Sequence, residues 1–201
     1  MIQAIQPIWG RHYNVGYLMA EFNTKSTFSR GIAYLTRGEK EAERVDISHV
    51  SIISGPDACV EAREGVGVVE NSILGRFQDK HKLVYFRKPV GYTEELGQAI
   101  VDEIMQHVGE DYDNNLIAAH AISGSALGRM LNRLTSNAFE ESVSGLFNDP
   151  SKWICSEIAA NAYDAQPQLK DIGILKQSDH AIVPRELFIG YGLWEPYSAK
   201  L

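Results

Sequence analysis

A cysteine, a histidine and a glutamate in this 201-residue chain are of the types that thiol chemistry requires. Cys155 stands in the segment Trp-Ile-Cys-Ser-Glu, at the expected start of a helix, where backbone N–H groups stabilise a thiolate. His49 opens a short β-branched segment, and Glu61 lies in an alternating one. A thiolate attacks carbonyls, an imidazole can serve as its general base, and a carboxylate can orient the imidazole. The three residues therefore predict nucleophilic catalysis.

A predicted β-hairpin brings His49 and Glu61 together. Its strands are residues 49–54 and 58–63, and Gly55-Pro56-Asp57 is the turn signal between them. Val50 and Ile52 are expected to face the core, which leaves residues 49, 51 and 53 on the other face. In a regular hairpin, the residue numbers of each directly opposed pair add up to the same sum. An even sum places His49 and Glu61 on the same face within side-chain reach, whereas an odd sum separates them.

Each of the three residues also has a purely structural interpretation. Cys155 can be a small buried apolar residue, and His49 can be a polar residue with satisfied hydrogen bonds. Glu61 can pair with Arg63 or with another surface cation. These alternatives remain open at the level of the sequence, and the position of the sulfur relative to the imidazole decides between them.

The remaining pattern predicts an α+β fold, with a first helix, a strand-rich block and then helices. Gly97 weakens one of these helices, and the segment after Pro167 is expected to be irregular or extended. The charge run Arg37–Arg44 is expected to be a solvated loop or helix end. The predicted elements are a helix over Thr27–Leu35, strands over Val66–Val69 and Lys82–Phe86, a helix capped by Thr93 and ending at Gly109, a helix within Asn114–Leu134, a loop over Asn137–Pro150 and a helix over Trp153–Tyr163.

Three segments in this order resemble a known family. They are Ser48-His49-Val50, then Val60-Glu61-Ala62, then the five residues Trp153 to Glu157. The set is similar to the permuted papain-like amidases of the YaeF/YiiX type, which are circularly permuted relatives of NlpC-type cell-wall peptidases. Weaker similarities are Phe28–Thr36, before the histidine strand, and Gly109–Asp113. The chain departs from the family by a long insert over Arg37–Asp46 and by Ile-Ala-Ala after Cys-Ser-Glu.

The resemblance implies a circularly permuted papain-like fold, in which an antiparallel sheet packs against helices and the catalytic cysteine begins a helix. It implies Cys155 as the nucleophile, His49 as the base and Glu61 as the group that orients the imidazole. The backbone N–H of Cys155 would contribute to an oxyanion hole, and Tyr112 would contact substrate. The implied reaction is hydrolysis of a peptide amide, such as that of a cell-wall peptide, without a cofactor.

Two other classes of function use the same residues. The first is a thioesterase, lipid hydrolase or acyltransferase, in which Cys155 takes an acyl group from an ester. The second is a binding module that kept the fold without turnover. A metal enzyme is not predicted, because the five histidines other than His49 show no metal-ligand spacing.

Composition limits the possible partners and the setting of the protein. The length predicts a single domain over residues 1–201, with its core in about residues 28–190. Nineteen basic and 26 acidic residues give a net charge of −7, which argues against a nucleic-acid partner. Two cysteines form no disulfide framework. No signal sequence or membrane span is expected, so the default location is cytoplasmic, with delivery by a phage as the alternative. A small peptide or acyl substrate is the expected partner, and the oligomeric state is not predicted.

Overall fold

A five-stranded antiparallel sheet organises the protein in a computed structural model that describes residues 6–35, 45–113 and 152–196. The strand order is β4-β3-β2-β1-β5, so the first strand lies inside the sheet. Two further short strands, β6 and β7, pair in parallel. The α+β class is confirmed. The strands are β1 (Leu18–Asn23), β2 (His49–Gly55), β3 (Ala58–Arg63), β4 (Gly67–Ser72), β5 (Lys82–Arg87), β6 (Asp111–Tyr112) and β7 (Lys152–Trp153).

Helices pack against the sheet, and their residues contact its strands. The longest described helix, α3, begins as expected at Thr93, whose side chain accepts a hydrogen bond from the Leu96 N–H at 3.2 Å. Close packing explains the glycine at position 97 of this helix, because a Cβ on Gly97 would lie 2.4 Å from the carbonyl oxygen of Val15. The α-helices are α1 (Thr27–Leu35), α2 (Leu74–Gln78), α3 (Glu94–Met105), α4 (Cys155–Asp164) and α5 (Pro184–Ile189), and two 3₁₀ helices span Gly173–Lys176 and Asp179–Ala181.

The hairpin of β2 and β3 has the even-sum register. Ile52 lies opposite Val60, and Ile53 lies opposite Cys59. The register shifts by one residue between Ile53 and Gly55, which is a β-bulge next to the turn. Continued along the strands, this register makes His49 a diagonal neighbour of Glu61 on the same face, so this prediction is confirmed.

The two faces of the sheet are buried in different ways. One face carries Val50, Ile52 and Val60 into the main apolar core, where they pack with residues of α3 and α4. The opposite face has a smaller apolar cluster that includes Met19 and Cys59. That face also carries buried polar and charged residues, among them Glu21, Ser51 and Glu61. Alternate residues of the same strands therefore supply a hydrophobic core on one side and a polar network on the other.

Several sequence expectations differ from the structure. β1 was not predicted, because five of its six residues are buried and the segment lacks alternation. The last predicted helix starts at Cys155 rather than at Trp153, which belongs to β7. The segment after Pro167 is not strand but contains two 3₁₀ helices and α5. The main core extends beyond residues 28–190, since it includes Leu18, Ala20, Leu193 and Trp194.

Three expectations concern segments outside the described residues. They are the charge run Arg37–Arg44, the helix within Asn114–Leu134 and the loop Asn137–Pro150.

The expected helix over Thr27–Leu35 is confirmed as α1. The strand expected over Val66–Val69 runs instead from Gly67 to Ser72.

Candidate active site

Cys155 is the first residue of α4, and its surroundings fix the position of the helix start. The Glu157 carboxylate accepts a hydrogen bond from the Ile154 N–H at 3.4 Å, as a cap one residue before the cysteine. On the strand side, the Asp113 N–H donates to the Trp153 carbonyl oxygen at 3.0 Å. Cys155 is only 4% exposed, but it lies on the wall of an open cleft. The thiol is therefore held at a helix N-terminus and faces a space that a ligand can enter.

His49, the first residue of β2, lies between Cys155 and Glu61. Its Nε2 is 2.6 Å from Oε2 of Glu61, and its ring also interacts electrostatically with Cys155. Since Nε2 donates to Glu61, Nδ1 is the nitrogen left to exchange a proton with the thiol. The His49 side chain is 26% exposed, so it also reaches the cleft.

Electrostatics favour charge on both His49 and Glu61. Burial alone would lower the pKa of His49, but the charge and hydrogen bond of Cys155, together with Glu61, raise it to about 10. Burial alone would raise the pKa of Glu61, but His49 and Arg76 hold it well below its ordinary value. The imidazolium is thus stabilised between two negative groups, which is the arrangement that favours a thiolate–imidazolium pair.

The Glu61 carboxylate is held by several donors besides His49. Asn71 Nδ2 donates to Oε1 at 3.1 Å, and Arg76 Nη2 donates to the same oxygen. The Arg76 guanidinium also donates to Glu21, whose other oxygen accepts from Lys82 Nζ at 2.9 Å. Glu61 is 1% exposed, so these bonds replace the water that it lost on folding.

Glu21, His49 and Glu61 are also the group among the described residues whose ligand atoms lie close enough to hold a metal ion, within 4.8 Å of one another. Their carboxylate oxygens, however, already accept hydrogen bonds from Arg76 and Lys82. A cation would have to displace two positive side chains that already neutralise the carboxylates. The donor set therefore fits an ion-pair network better than a metal centre.

Tyr112 lies on the wall of the same cleft, and β6 holds it there. β6 pairs in parallel with β7, so that Tyr112 lies opposite Trp153, two residues before Cys155. Trp153 is itself fixed, since its indole N–H donates to the carboxylate of Glu110. Burial, with the negative charges of Cys155 and Glu64, raises the pKa of Tyr112 and keeps its phenol protonated. The tyrosine is thus a hydrogen-bond donor next to the sulfur.

The cleft has a volume of about 640 Å³ and brings all four predicted residues, Cys155, His49, Glu61 and Tyr112, onto one surface. One wall comes from α1 and the other from the start of α5. Further lining residues are polar ones, Asn23, Ser26, Ser29, Arg63 and Asn71, and apolar ones, Ile32, Val183 and Pro184. The volume is in the range of small-molecule and peptide sites.

The second cysteine, Cys59, has a different environment. It is fully buried in the smaller apolar cluster, and burial raises its pKa to about 12. It is therefore protonated and inaccessible at neutral pH. Cys59 lies on the same side of β3 as Glu61.

Arg76, Glu21 and Lys82 are part of the site, and the sequence reasoning did not include them. They are far apart along the chain, so no local pattern connects them. The available signal was a charged residue inside an otherwise apolar strand: Glu21 follows Leu-Met-Ala and precedes Phe. A buried carboxylate of this kind requires a cation, which could have directed a search for Arg76.

Comparisons of the chain with protein-family models, curated proteins and solved structures found no match. Within the residues that the structure describes, none of the helices has the length and apolar character needed to cross a bilayer. The geometry and chemistry of the cleft are therefore the features of this chain that indicate a function.

Proposed function

We propose that this chain is a cysteine hydrolase that cleaves a peptide amide through Cys155, His49 and Glu61. The observation that carries the proposal is His49, which is hydrogen-bonded to Glu61, interacts electrostatically with Cys155 and lies with both on the wall of an open cleft. A buried structural cysteine needs neither an imidazole nor an opening, as Cys59 illustrates. The contacts of Cys155 match those of an activated nucleophile.

In the first half of the reaction, the Cys155 thiolate attacks the carbonyl carbon of the substrate and forms a tetrahedral oxyanion. The His49 imidazolium then gives its proton to the departing amine nitrogen, the C–N bond breaks, and a thioester remains on Cys155. Glu61 keeps the imidazole ring in place throughout, because Nε2 stays bound to its carboxylate.

In the second half, His49 takes a proton from a water molecule, and the hydroxide attacks the thioester carbonyl. The carboxylic acid leaves and the thiolate is restored, so the net reaction consumes one water. The oxyanion of each step would be stabilised by the backbone N–H of Cys155, at the positive end of α4. The protonated phenol of Tyr112, on the same wall, is the second donor that we propose.

The resemblance to the circularly permuted papain-like amidases supports this assignment. The histidine strand β2 precedes the cysteine helix α4 in the chain, and an antiparallel sheet packs against that helix. We therefore propose the permuted papain-like fold for this chain, with a cell-wall-type peptide as its substrate class. The cleft wall carries both amide-binding groups, such as Asn23 and Asn71, and apolar surface from Ile32 and Val183, which suits a peptide.

The decisive experiment is Cys155→Ala assayed on a panel of peptide amides and acyl esters. We expect turnover to vanish while the melting temperature stays within a few degrees of the wild-type value. Cys59→Ala is the matched control, and it should keep full turnover. Turnover that persists in Cys155→Ala would contradict the proposal. The ratio of kcat/KM for amides and esters separates a peptidase from a thioesterase or acyltransferase, and hydrolysis of esters alone would exclude the peptidase.

Thiol reactivity provides a test that needs no substrate. We expect iodoacetamide to alkylate Cys155 at neutral pH at least about tenfold faster than Cys59, because only Cys155 has an imidazole partner and an opening. Peptide mapping by mass spectrometry gives the two rates separately. Equal and slow alkylation of both cysteines would indicate a binding module instead.

A further inference from the structure

We propose that Arg76 is a positioning residue that holds the Glu61 carboxylate ionised and in the orientation that His49 needs. Arg76 takes no part in bond making or breaking and acts only through Glu61. The inference rests on the proposed function, since it explains how the third member of the site is kept in its working state.

The Arg76 guanidinium bridges two carboxylates of the site. Arg76 lies on α2 and is 8% exposed, and its two terminal nitrogens reach two different strands of the sheet. Nη1 donates to Oε1 of Glu21 on β1, and Nη2 donates to Oε1 of Glu61 on β3. A planar guanidinium binds the two carboxylates through separate nitrogens in a fixed relative geometry, which the single nitrogen of an ammonium group does not provide.

The two oxygens of the Glu61 carboxylate have different partners. Arg76 and Asn71 both donate to Oε1, while His49 occupies Oε2. The carboxylate therefore cannot rotate about its terminal bond without breaking hydrogen bonds on both oxygens. Its orientation, and with it the ring plane of His49, is determined from the side opposite the thiol.

The positive charge of Arg76 also lies between two buried carboxylates. Glu21 and Glu61 are 5% and 1% exposed, and both face Arg76, so without the arginine two largely desolvated carboxylates would share one site. Like charges in such a site favour protonation of one of them. A protonated Glu61 would no longer stabilise the imidazolium of His49, and the thiolate of Cys155 would lose its partner.

Other charged groups face Glu61, and none replaces Arg76. Arg63 Nε is 3.8 Å from Oε1, but its side chain is half exposed and screened by solvent. Lys82 pairs with Glu21 rather than with Glu61. Cys59 also lies close on β3, but its thiol is protonated. Beyond these groups, His49 and the thiol of Cys155 also lie on this side.

The test measures the pH midpoint of Cys155 alkylation by iodoacetamide. All variants carry Cys59→Ala, which leaves Cys155 as the single thiol. We expect Arg76→Met to raise the midpoint by about one pH unit, because neutral Glu61 no longer favours the thiolate–imidazolium pair. Arg76→Lys should raise it less, since the charge remains and the bridge is lost. Glu61→Gln should raise it as much as Arg76→Met does.

The double variant Arg76→Met/Glu61→Gln distinguishes positioning from a general structural effect. If Arg76 acts through Glu61, the double variant has the same midpoint as Glu61→Gln alone. A further rise in the double variant would overturn the proposal. Arg185→Met is the stability control, because Arg185 is also a buried arginine but donates to the backbone carbonyl of Val45. It should lower the melting temperature and leave the midpoint unchanged.

The outcomes separate this inference from the proposed function. If Glu61→Gln leaves the midpoint unchanged, the role of Glu61 in the proposed function is wrong. If Glu61→Gln raises the midpoint and Arg76→Met does not, only the inference about Arg76 is wrong. Should Arg76→Met fail to fold, Arg76→Lys decides, since any rise that it causes must disappear in the Glu61→Gln background.

Discussion

Two buried glutamates, one on β3 and one on α4, have opposite electrostatic environments. Glu61, 1% exposed, accepts hydrogen bonds from His49, Arg76 and Asn71, and its pKa lies well below the ordinary value despite burial. Glu157, 4% exposed, accepts a hydrogen bond from the Ile154 N–H. Burial, with the negative charges of Asp113 and Asp179, raises its pKa to about 8.

The difference shows that burial does not decide whether a carboxyl group is charged. Desolvation opposes ionisation of both glutamates, and the neighbouring groups determine the outcome. Cations surround Glu61, so it is an anion that can hold an imidazolium. Acids surround Glu157, so near neutral pH it is largely a protonated group that completes the start of α4. The two neighbourhoods agree with the catalytic role proposed for Glu61 and with a structural role for Glu157.

The largest expected effect separates the two glutamates by activity. Glu61→Gln should lower kcat/KM on the order of 10²-fold, because the amide does not stabilise the imidazolium that donates the proton to the leaving group. Glu157→Gln should change kcat/KM less than about threefold, since a glutamine can still accept the Ile154 N–H. Steady-state kinetics on the substrate found by the panel measure both. Similar losses in the two variants would contradict the division of roles.

A smaller effect concerns the pH dependence of stability. Glu157 binds its proton more tightly in the folded than in the unfolded chain, where its pKa is about 4.3. Unfolding therefore releases a proton, and the Glu157 contribution to stability, fully present below pH about 4.3, is lost as the pH rises through about 8. We expect Glu157→Gln to flatten this decline. Urea unfolding at pH 5 and pH 8.5 measures it, and equal declines in variant and wild type would show that Glu157 does not titrate in this range.

The smallest expected effect tests the acidic neighbours of Glu157. Burial and the charge of Asp164 raise the pKa of Asp179 to about 6, and Asp179 in turn raises the pKa of Glu157. Asp179→Asn should reduce the loss of stability between pH 5 and pH 8.5, but by less than Glu157→Gln does. The same unfolding series measures it. A steeper decline in Asp179→Asn would mean that its carboxylate stabilises α4 instead of destabilising it.

The sequence predicted the parts of the site that depend on local patterns. Strand alternation and a turn signal were sufficient for the His49–Glu61 face, and a helix-start pattern was sufficient for Cys155. The helix start was misplaced by two residues, because Trp153 is held in β7 by its pairing with Tyr112. That pairing joins positions 41 apart along the chain, so no local preference reveals it.

The parts that were missed depend on tertiary contacts or on very short elements. β1 is covered on both faces, so it lacks the alternation that identifies a half-exposed strand. α2 has five residues and no side-chain cap, yet it carries Arg76. α5 did have a signal, since Pro184 is a favourable first residue of a helix. The Arg76 network is assembled by the folded sheet, and only the requirement for a partner of Glu21 pointed to it.

The bulge beside the turn of the first hairpin has a consequence for how insertions and deletions act on this protein. Gly55 and Ala58 are opposed next to the turn, and the sum of their residue numbers is odd. The extra residue between Ile53 and Gly55 makes this sum even for the opposed pairs farther along the strands. If the odd-sum register next to the turn continued along both strands, the His49 imidazole and the Glu61 carboxylate would lie on opposite faces of the sheet. One extra residue next to the turn thus decides whether the two groups can meet, and we expect a change of length by one residue at this position to separate them.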